Sequence, residues 1–295
     1  MTVLGKRIAR GVEFAALTLP AVAAIVVVVM VPFGMSVVNS FMKWNGLDKK
    51  PVFIGLANYV ELFTDDPNLI AALIFTLFFT VAMVVLTNVI ALLLALALNQ
   101  PLRGRNLLRA AFYVPNIISL IVIGYIWRFI FSKGFDSMYA ATGFAPLNLS
   151  WLGDPKLAFA STVFVSVWQA VGFYLVIYIA GLQTIPYDIV EAATLDGAGP
   201  IRRFFDVTLP LLMPSVTVAV FYSLSNALKT FDVIFSLTYG GPGTATTSIA
   251  LDIYKTAFSD SRFGYGMAKS VVLFLLILVV GLLQIGFFKK REVES

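Results

Sequence analysis

Six long stretches without a single charged residue constrain this 295-residue chain more than any motif does. No Asp, Glu, Lys or Arg lies between Glu13 and Lys43, or between Asp66 and Arg103. The same is true from Arg109 to Arg128, Lys156 to Asp188, Asp206 to Lys229 and Lys269 to Lys289. A helix needs about 20 mostly apolar residues to cross a hydrocarbon core ~30 Å thick. The runs therefore predict spans at 14–40, 69–98, 109–131, 158–183, 211–238 and 268–288. They are apolar on every face, as membrane helices are and amphipathic surface helices are not. The short alternating segments of a β-barrel do not occur. The expected fold is an all-α integral membrane protein of six transmembrane helices, forming a single domain over residues 1–295.

Composition closes the other classes. Hydrophobic residues make up 59% and charged residues 13%, against roughly 25% charged in soluble domains. Too few polar side chains remain to coat a soluble globule. The chain has no Cys and no His, which removes disulfides, thiolate ligands, and the commonest general base and metal ligand. No metal site, catalytic residue or nucleic-acid partner is expected. The first span follows Lys6, Arg7 and Arg10, as a signal peptide would, but its run far exceeds the usual ~7–15-residue apolar core. It reads as a retained helix. Positive residues concentrate in the N-terminal tail, in the loop with Arg103, Arg105 and Arg109, and in the tail with Lys289, Lys290 and Arg291. The positive-inside rule then places both termini, and the loop 184–209, in the cytoplasm.

That loop carries the densest local signals. Pro186 suits a first helical turn, and Asp188 lies where the helix dipole favours an anion. Gly197 is placed to end the helix in a left-handed cap. Pro200 is expected to start a second short helix to Val207, and Pro210 to open the fifth span. Ala192 and Ala193 leave a low, smooth surface beside Glu191. A short rigid helix held between two spans can act as a lever on both; its plainer reading is a solvated connector.

Glu191-Ala192-Ala193, Gly197 and Val207-Thr208-Leu209-Pro210 resemble the EAA loop of binding-protein-dependent ABC importer permeases, with Val207 where Ile is usual. Ile54-Gly55-Leu56-Ala57-Asn58-Tyr59, Asp196-Gly197-Ala198-Gly199-Pro200, Phe231-Asp232 and Thr238-Tyr239-Gly240-Gly241-Pro242-Gly243 are similar to segments of the sugar branch, the maltose and glycerol-3-phosphate type. The resemblance implies the type I importer (MetI-like) fold, with Glu191, Ala192, Ala193, Asp196 and Gly197 coupling to a cytoplasmic ATPase. It also implies a second permease, usually making a heterodimer, two ATPase subunits, an external solute-binding protein and a sugar substrate. The setting is the bacterial inner membrane. No Gly-x-x-x-x-Gly-Lys-Ser/Thr occurs, so this chain is expected to bind no cofactor itself, ATP and Mg sitting on the partner subunits.

Two polar stripes are candidates for the substrate path. Ser166, Gln169, Ala170, Phe173 and Tyr174 share a face of span 4 at spacings of three and four. Ser223, Asn226, Ala227 and Thr230 do so on span 5. Gln and Asn donate and accept, and an aromatic ring can stack on a pyranose. Packing through small and polar residues is the competing explanation. Lys229 and Asp232 read as an ion pair or a gate, and Arg128 as an interfacial anchor. Gly240 to Gly243 reads as a turn or a docking surface, and Ala91 with Ala95 as packing. The alternative substrate classes on the same fold are amino acids, peptides, polyamines and anions. A membrane enzyme, channel or secondary carrier has less support, for want of buried chemistry or of any need for a lever.

Overall fold

The computed structural model describes residues 3–289, with side chains from Phe14 to Phe287. The cationic side chains Lys6, Arg7, Arg10, Lys289, Lys290 and Arg291 lie outside that description. Fourteen α-helices occur among the described residues. They are α1 (Val3–Ile25), α2 (Val31–Asn39), α3 (Ala57–Thr64), α4 (Pro67–Leu98), α5 (Arg105–Ile117), α6 (Leu120–Phe129) and α7 (Phe135–Thr142). After these come α8 (Pro155–Thr184), α9 (Tyr187–Leu195), α10 (Pro200–Arg203), α11 (Leu209–Leu228), α12 (Asp232–Leu237), α13 (Ile249–Tyr254) and α14 (Phe263–Lys289). Five uninterrupted helices are long and apolar enough to cross a membrane, Phe14–Asn39, Pro67–Leu98, Pro155–Thr184, Pro200–Leu228 and Phe263–Phe287. A bent pair, Arg105–Ile117 with Leu120–Thr142, makes a sixth if it is one span.

Three expectations change. The third span is not straight: it turns by 95°. Pro115 lies inside α5, and Ile118 and Ser119 take extended backbone conformations between the two halves. Proline removes a backbone donor and weakens the turn around it. The fifth span ends at Leu228 rather than near 238, because Lys229 leaves helical geometry and Phe231 breaks the path before α12. The short helix from Pro200 is not separate. It runs on through a π-turn, Phe204–Thr208, into α11. Such a turn, placed just before Pro210, accommodates the missing N–H without ending the helix. Val26–Met30 does the same ahead of Pro32.

The chain forms two compact units. One comprises residues 1–65 and 253–272. Its apolar helix Phe14–Asn39 has no buried stretch. A two-stranded antiparallel sheet, β1 (Met42–Lys43) and β2 (Val52–Phe53), pairs Met42 with Phe53 and Lys43 with Val52. Asn58 explains the segment 54–59: its buried amide donates to the carbonyls of Ser40 (2.8 Å) and Met42 (3.0 Å). Arg262 donates to both oxygens of Glu61, at 2.7 Å each, and its guanidinium lies 4.2 Å from the centre of the Tyr265 ring.

The other unit comprises residues 66–252 and 273–295. Its core joins α4, α8 and α11 through Ala91, Ala95, Leu175, Tyr178, Leu212 and Ala219. Ala91 and Ala95 are fully buried, as packing requires. Small residues let the backbones approach, as is usual between membrane helices. A Cβ on Gly172 would collide with the Phe112 carbonyl and come within 2.7 Å of the Tyr113 Cα. Gly172→Val is therefore expected to push α5 off α8 at a cost of about 1–3 kcal/mol. Thermal unfolding of the purified protein should show a lowered midpoint; an unchanged midpoint would contradict this close packing.

One buried polar knot crosses the core. Asn88 donates to the Val84 carbonyl (2.8 Å) and to the Ser223 hydroxyl (2.9 Å), and accepts from the Tyr178 hydroxyl at 2.7 Å. Three helices thus share one amide. Asn88→Leu leaves two hydroxyls to find new partners, and such bonds contribute ~0.6 kcal/mol on average and up to ~1.7 in membrane proteins. A small drop in stability is expected, measurable by the same unfolding assay, and any stabilisation would contradict it.

Candidate functional site

The two stripes converge. Ser166, Gln169, Ala170, Phe173 and Tyr174 of α8 line one cavity of about 630 Å³ together with Asn226, Ala227 and Thr230 from α11 and its C-terminal end. That volume is in the range of small-ligand pockets. Helix α8 places its residues by spacing alone, since its 30 residues run unbroken. Helix α11 stops at Leu228, and Thr230 is held just beyond by Ser248, whose hydroxyl donates to the Thr230 carbonyl (2.7 Å). Phe173 and Tyr222 pack with ring centres 4.9 Å apart, and Phe173 meets Tyr174 edge-on at 5.3 Å. Hydroxyls and side-chain amides therefore open beside flat aromatic surface. That combination can bind a polyhydroxylated ring by stacking one face and hydrogen-bonding its edges.

Ser223 does not join them. It is 1% exposed and occupied by Asn88. Lys229 and Asp232 both line the cavity. Among the described residues the side-chain ion pairs include Arg202 with Asp206 and Arg262 with Glu61, and Lys229 with Asp232 is not among them. The reason is the end of α11 at Leu228: a separation of three in sequence is no longer one helical turn. Each charge is exposed where it stands.

Tyr113, Asn116, Phe79, Met83 and Tyr222 also line the cavity and were not expected there. Asn116 adjoins Pro115 at the bend of the third span. A polar residue beside a proline in an apolar run is the sequence signal that could have found it.

The loop after α8 builds a second feature. Pro186 precedes α9 as its N-cap, one position outside the turn expected for it. Gly197 adopts φ +80°, as its predicted left-handed cap requires. Its N–H donates to the Thr194 carbonyl (3.1 Å), and that of Ala198 to the Ala193 carbonyl (3.0 Å). This double closure is a Schellman motif. The Arg203 guanidinium donates to the Thr194 hydroxyl at 2.7 Å, tying α9 to α10. Glu191, Ala192, Asp196 and Gly197 are exposed and Ala193 is half-buried. Leu195 is 83% and Tyr187 74% exposed. A helix closed at its C-terminus by this motif thus carries exposed apolar side chains outside the span bundle.

The turn reading of Gly240 to Gly243 fits the local structure. Tyr239, Gly240 and Gly243 have positive φ, and the Thr246 hydroxyl donates to the Gly241 carbonyl (2.7 Å).

Residues 87–292, which hold the cavity's α8 and α11 walls and the capped helix, match the family model described as binding-protein-dependent transport system inner membrane component. The chain belongs to that family. It is 42% identical over 275 residues, 93% of each chain, to the probable starch degradation products transport system permease protein AmyD of Thermoanaerobacterium thermosulfurigenes. It is 38% identical over 254 residues to the multiple sugar-binding transport system permease protein MsmF of Streptococcus mutans, covering 86% of this chain and 87% of that one. With the trehalose/maltose transport system permease protein MalF of Thermococcus litoralis it shares 34% over 278 residues, 92% of each. In fold it is similar to a bacterial ABC transporter involved in the import of the acidic polysaccharide alginate, with a TM-score of 0.82, 22% identity, and coverage of 98% of this chain and 99% of that one. An amino acid ABC transporter also shares the fold, at a TM-score of 0.53 and 18% identity, over 79% of this chain and 98% of that one. The chain is thus a multi-pass membrane permease of the importer fold.

Proposed function

We propose that this permease is one of two transmembrane subunits of an ATP-driven, binding-protein-dependent importer of a carbohydrate or sugar-like solute. The observation that carries the reading is the cavity in which Gln169, Asn226 and Ser166 open beside Phe173, Tyr174 and Tyr222. The permeases for starch products, multiple sugars and trehalose/maltose, at 34–42% identity, support the substrate class. Residues 1–295 act as a single permease domain in the bacterial inner membrane, with both termini in the cytoplasm. The α9 helix, through Glu191, Ala192, Ala193, Asp196 and Gly197, docks on a cytoplasmic ATPase that binds ATP and Mg. A second permease completes the path, giving a heterodimer on two ATPase subunits. An external binding protein delivers the solute, in keeping with the alginate transporter described in complex with its pentasaccharide-bound periplasmic protein.

In this scheme ATP-driven closure of the ATPases moves α9 as a lever. The rigid link from Pro200 through α11 transmits that movement to the cavity wall at Asn226 and Thr230. No covalent chemistry is required of this chain.

Uptake into vesicles holding the complete complex tests the substrate class. Labelled neutral sugars, sugar phosphates and amino acids are offered with the binding protein outside. ATP-dependent accumulation of a sugar supports the reading. Accumulation of an amino acid alone would overturn it and favour the second reading, a non-sugar importer on the same fold.

A further inference from the structure

A second cavity, of about 740 Å³, lies between α4, α5 and α8, and its wall is predominantly apolar. Ile90, Leu94, Leu108, Ala111, Ala160 and Phe164 are among the residues that form it. It shares no lining residue with the polar cavity. Along α4 it extends from Ala82 to Leu94, a rise of ~18 Å. Half of a ~30 Å hydrocarbon core is ~15 Å, so the groove is as deep as one leaflet. Leu94 and Leu108 mark one end, and the chain between them carries Arg103 and Arg105, both exposed. Arg109 follows directly. Its Nη2 donates to the Leu98 carbonyl (2.7 Å), one turn beyond Leu94, while its Nε is buried without a hydrogen-bond partner. No acidic residue occurs from Asp66 to Asp136. Arg105 lies one helical turn before Leu108 on the same face of α5, at this end of a predominantly apolar groove, and Arg103 precedes it in the connecting loop.

We infer that this groove is a binding site for an anionic phospholipid of the cytoplasmic leaflet, its phosphate held at Arg103 and Arg105 and one acyl chain lying along α4. Charge complementarity selects this occupant. A helix of another protein would fill the apolar wall equally well, but would have no use for the exposed Arg103 and Arg105 beside it. Each basic residue near a membrane surface strengthens binding to anionic lipid about fivefold. The site is separate from the sugar-binding reading and stands or falls without it.

The test uses the complete complex in phosphatidylcholine vesicles, with a phosphatidylglycerol whose acyl chain carries a photoreactive group. Labelled residues are mapped by peptide mass spectrometry. The expected label falls on Leu94, Leu108 and Ala111 and is displaced by unlabelled phosphatidylglycerol but not by phosphatidylcholine. Arg103→Gln with Arg105→Gln should weaken that competition about 30-fold. Ala111→Trp, which fills the groove and leaves the arginines intact, should abolish the label there. A label spread evenly over the lipid-facing helices would overturn the proposal. So would equal competition by both lipids, or crosslinking of these residues to a second protein chain instead of the probe.

Discussion

In a Gly197→Pro variant, solute no longer stimulates ATP hydrolysis by the assembled transporter, although the chain still inserts in the membrane. Gly197 holds φ +80°, and a proline ring is locked near −65°. The substitution also removes the N–H that donates to the Thr194 carbonyl. Proline in an incompatible position costs ~3 kcal/mol or more, which lowers the population of the capped α9 terminus roughly 100-fold. Gly197→Ala keeps the N–H and pays only the left-handed penalty of about 1–2 kcal/mol, so an intermediate loss of coupled uptake is expected. The comparison is made on reconstituted complexes, with uptake and ATP hydrolysis measured together. Full coupling in the proline variant would remove α9 as the lever. The residues around it are solvent-exposed, so the fault stays local rather than reaching the span core.

Gln169→Leu carries the second large effect. Gln169 is 8% exposed and opens on the polar cavity from the middle of α8. Leucine is near in volume, so packing survives, but both the donor and the acceptor are lost. A ligand hydroxyl left without its partner costs about 1–3 kcal/mol, a rise of roughly 5–150-fold in the apparent KM for uptake. Maximal rate should change far less, because the lever is untouched. An unchanged KM would exclude Gln169 from the solute's path. The same substitution does not alter the apolar groove, whose wall lies on other residues of α8.

The spans were legible because a bilayer demands long uncharged runs, and hydropathy reports length well. It does not report direction. The run from Arg109 to Arg128 reads as one straight helix, whereas Pro115 and the extended pair Ile118–Ser119 turn the chain sharply. The bend brings α5 to the cavity, so Tyr113 and Asn116 could not be placed from spacing on a single helix. The end of the fifth span was overrun for a related reason. Residues 233–237 are as apolar as the helix before them, and only Lys229 and Asp232 mark the break. By contrast the α9 cap was fully legible, since a left-handed glycine is a local requirement. On α8 the stripe needed only helical periodicity. On α11 the same argument offered Ser223, which the structure gives to Asn88, a partner 135 residues away in sequence. Tyr222, next to it, takes the cavity face instead. The fold alone does not select a sugar, since an amino acid transporter shares it. Sequence similarity to sugar permeases and the aromatic, amide-rich lining make that selection together.

Coupled sugar import is tested by ATP hydrolysis of the purified complex in lipid, containing this chain, its ATPase, the second permease and the binding protein. The panel is sugars and sugar phosphates, each with and without the binding protein. Stimulation is expected to require both the binding protein and a carbohydrate, and to disappear when α9 is disrupted at Gly197. Failure of the chain to assemble with any ATPase, or stimulation by non-sugar solutes alone, would contradict coupled sugar import.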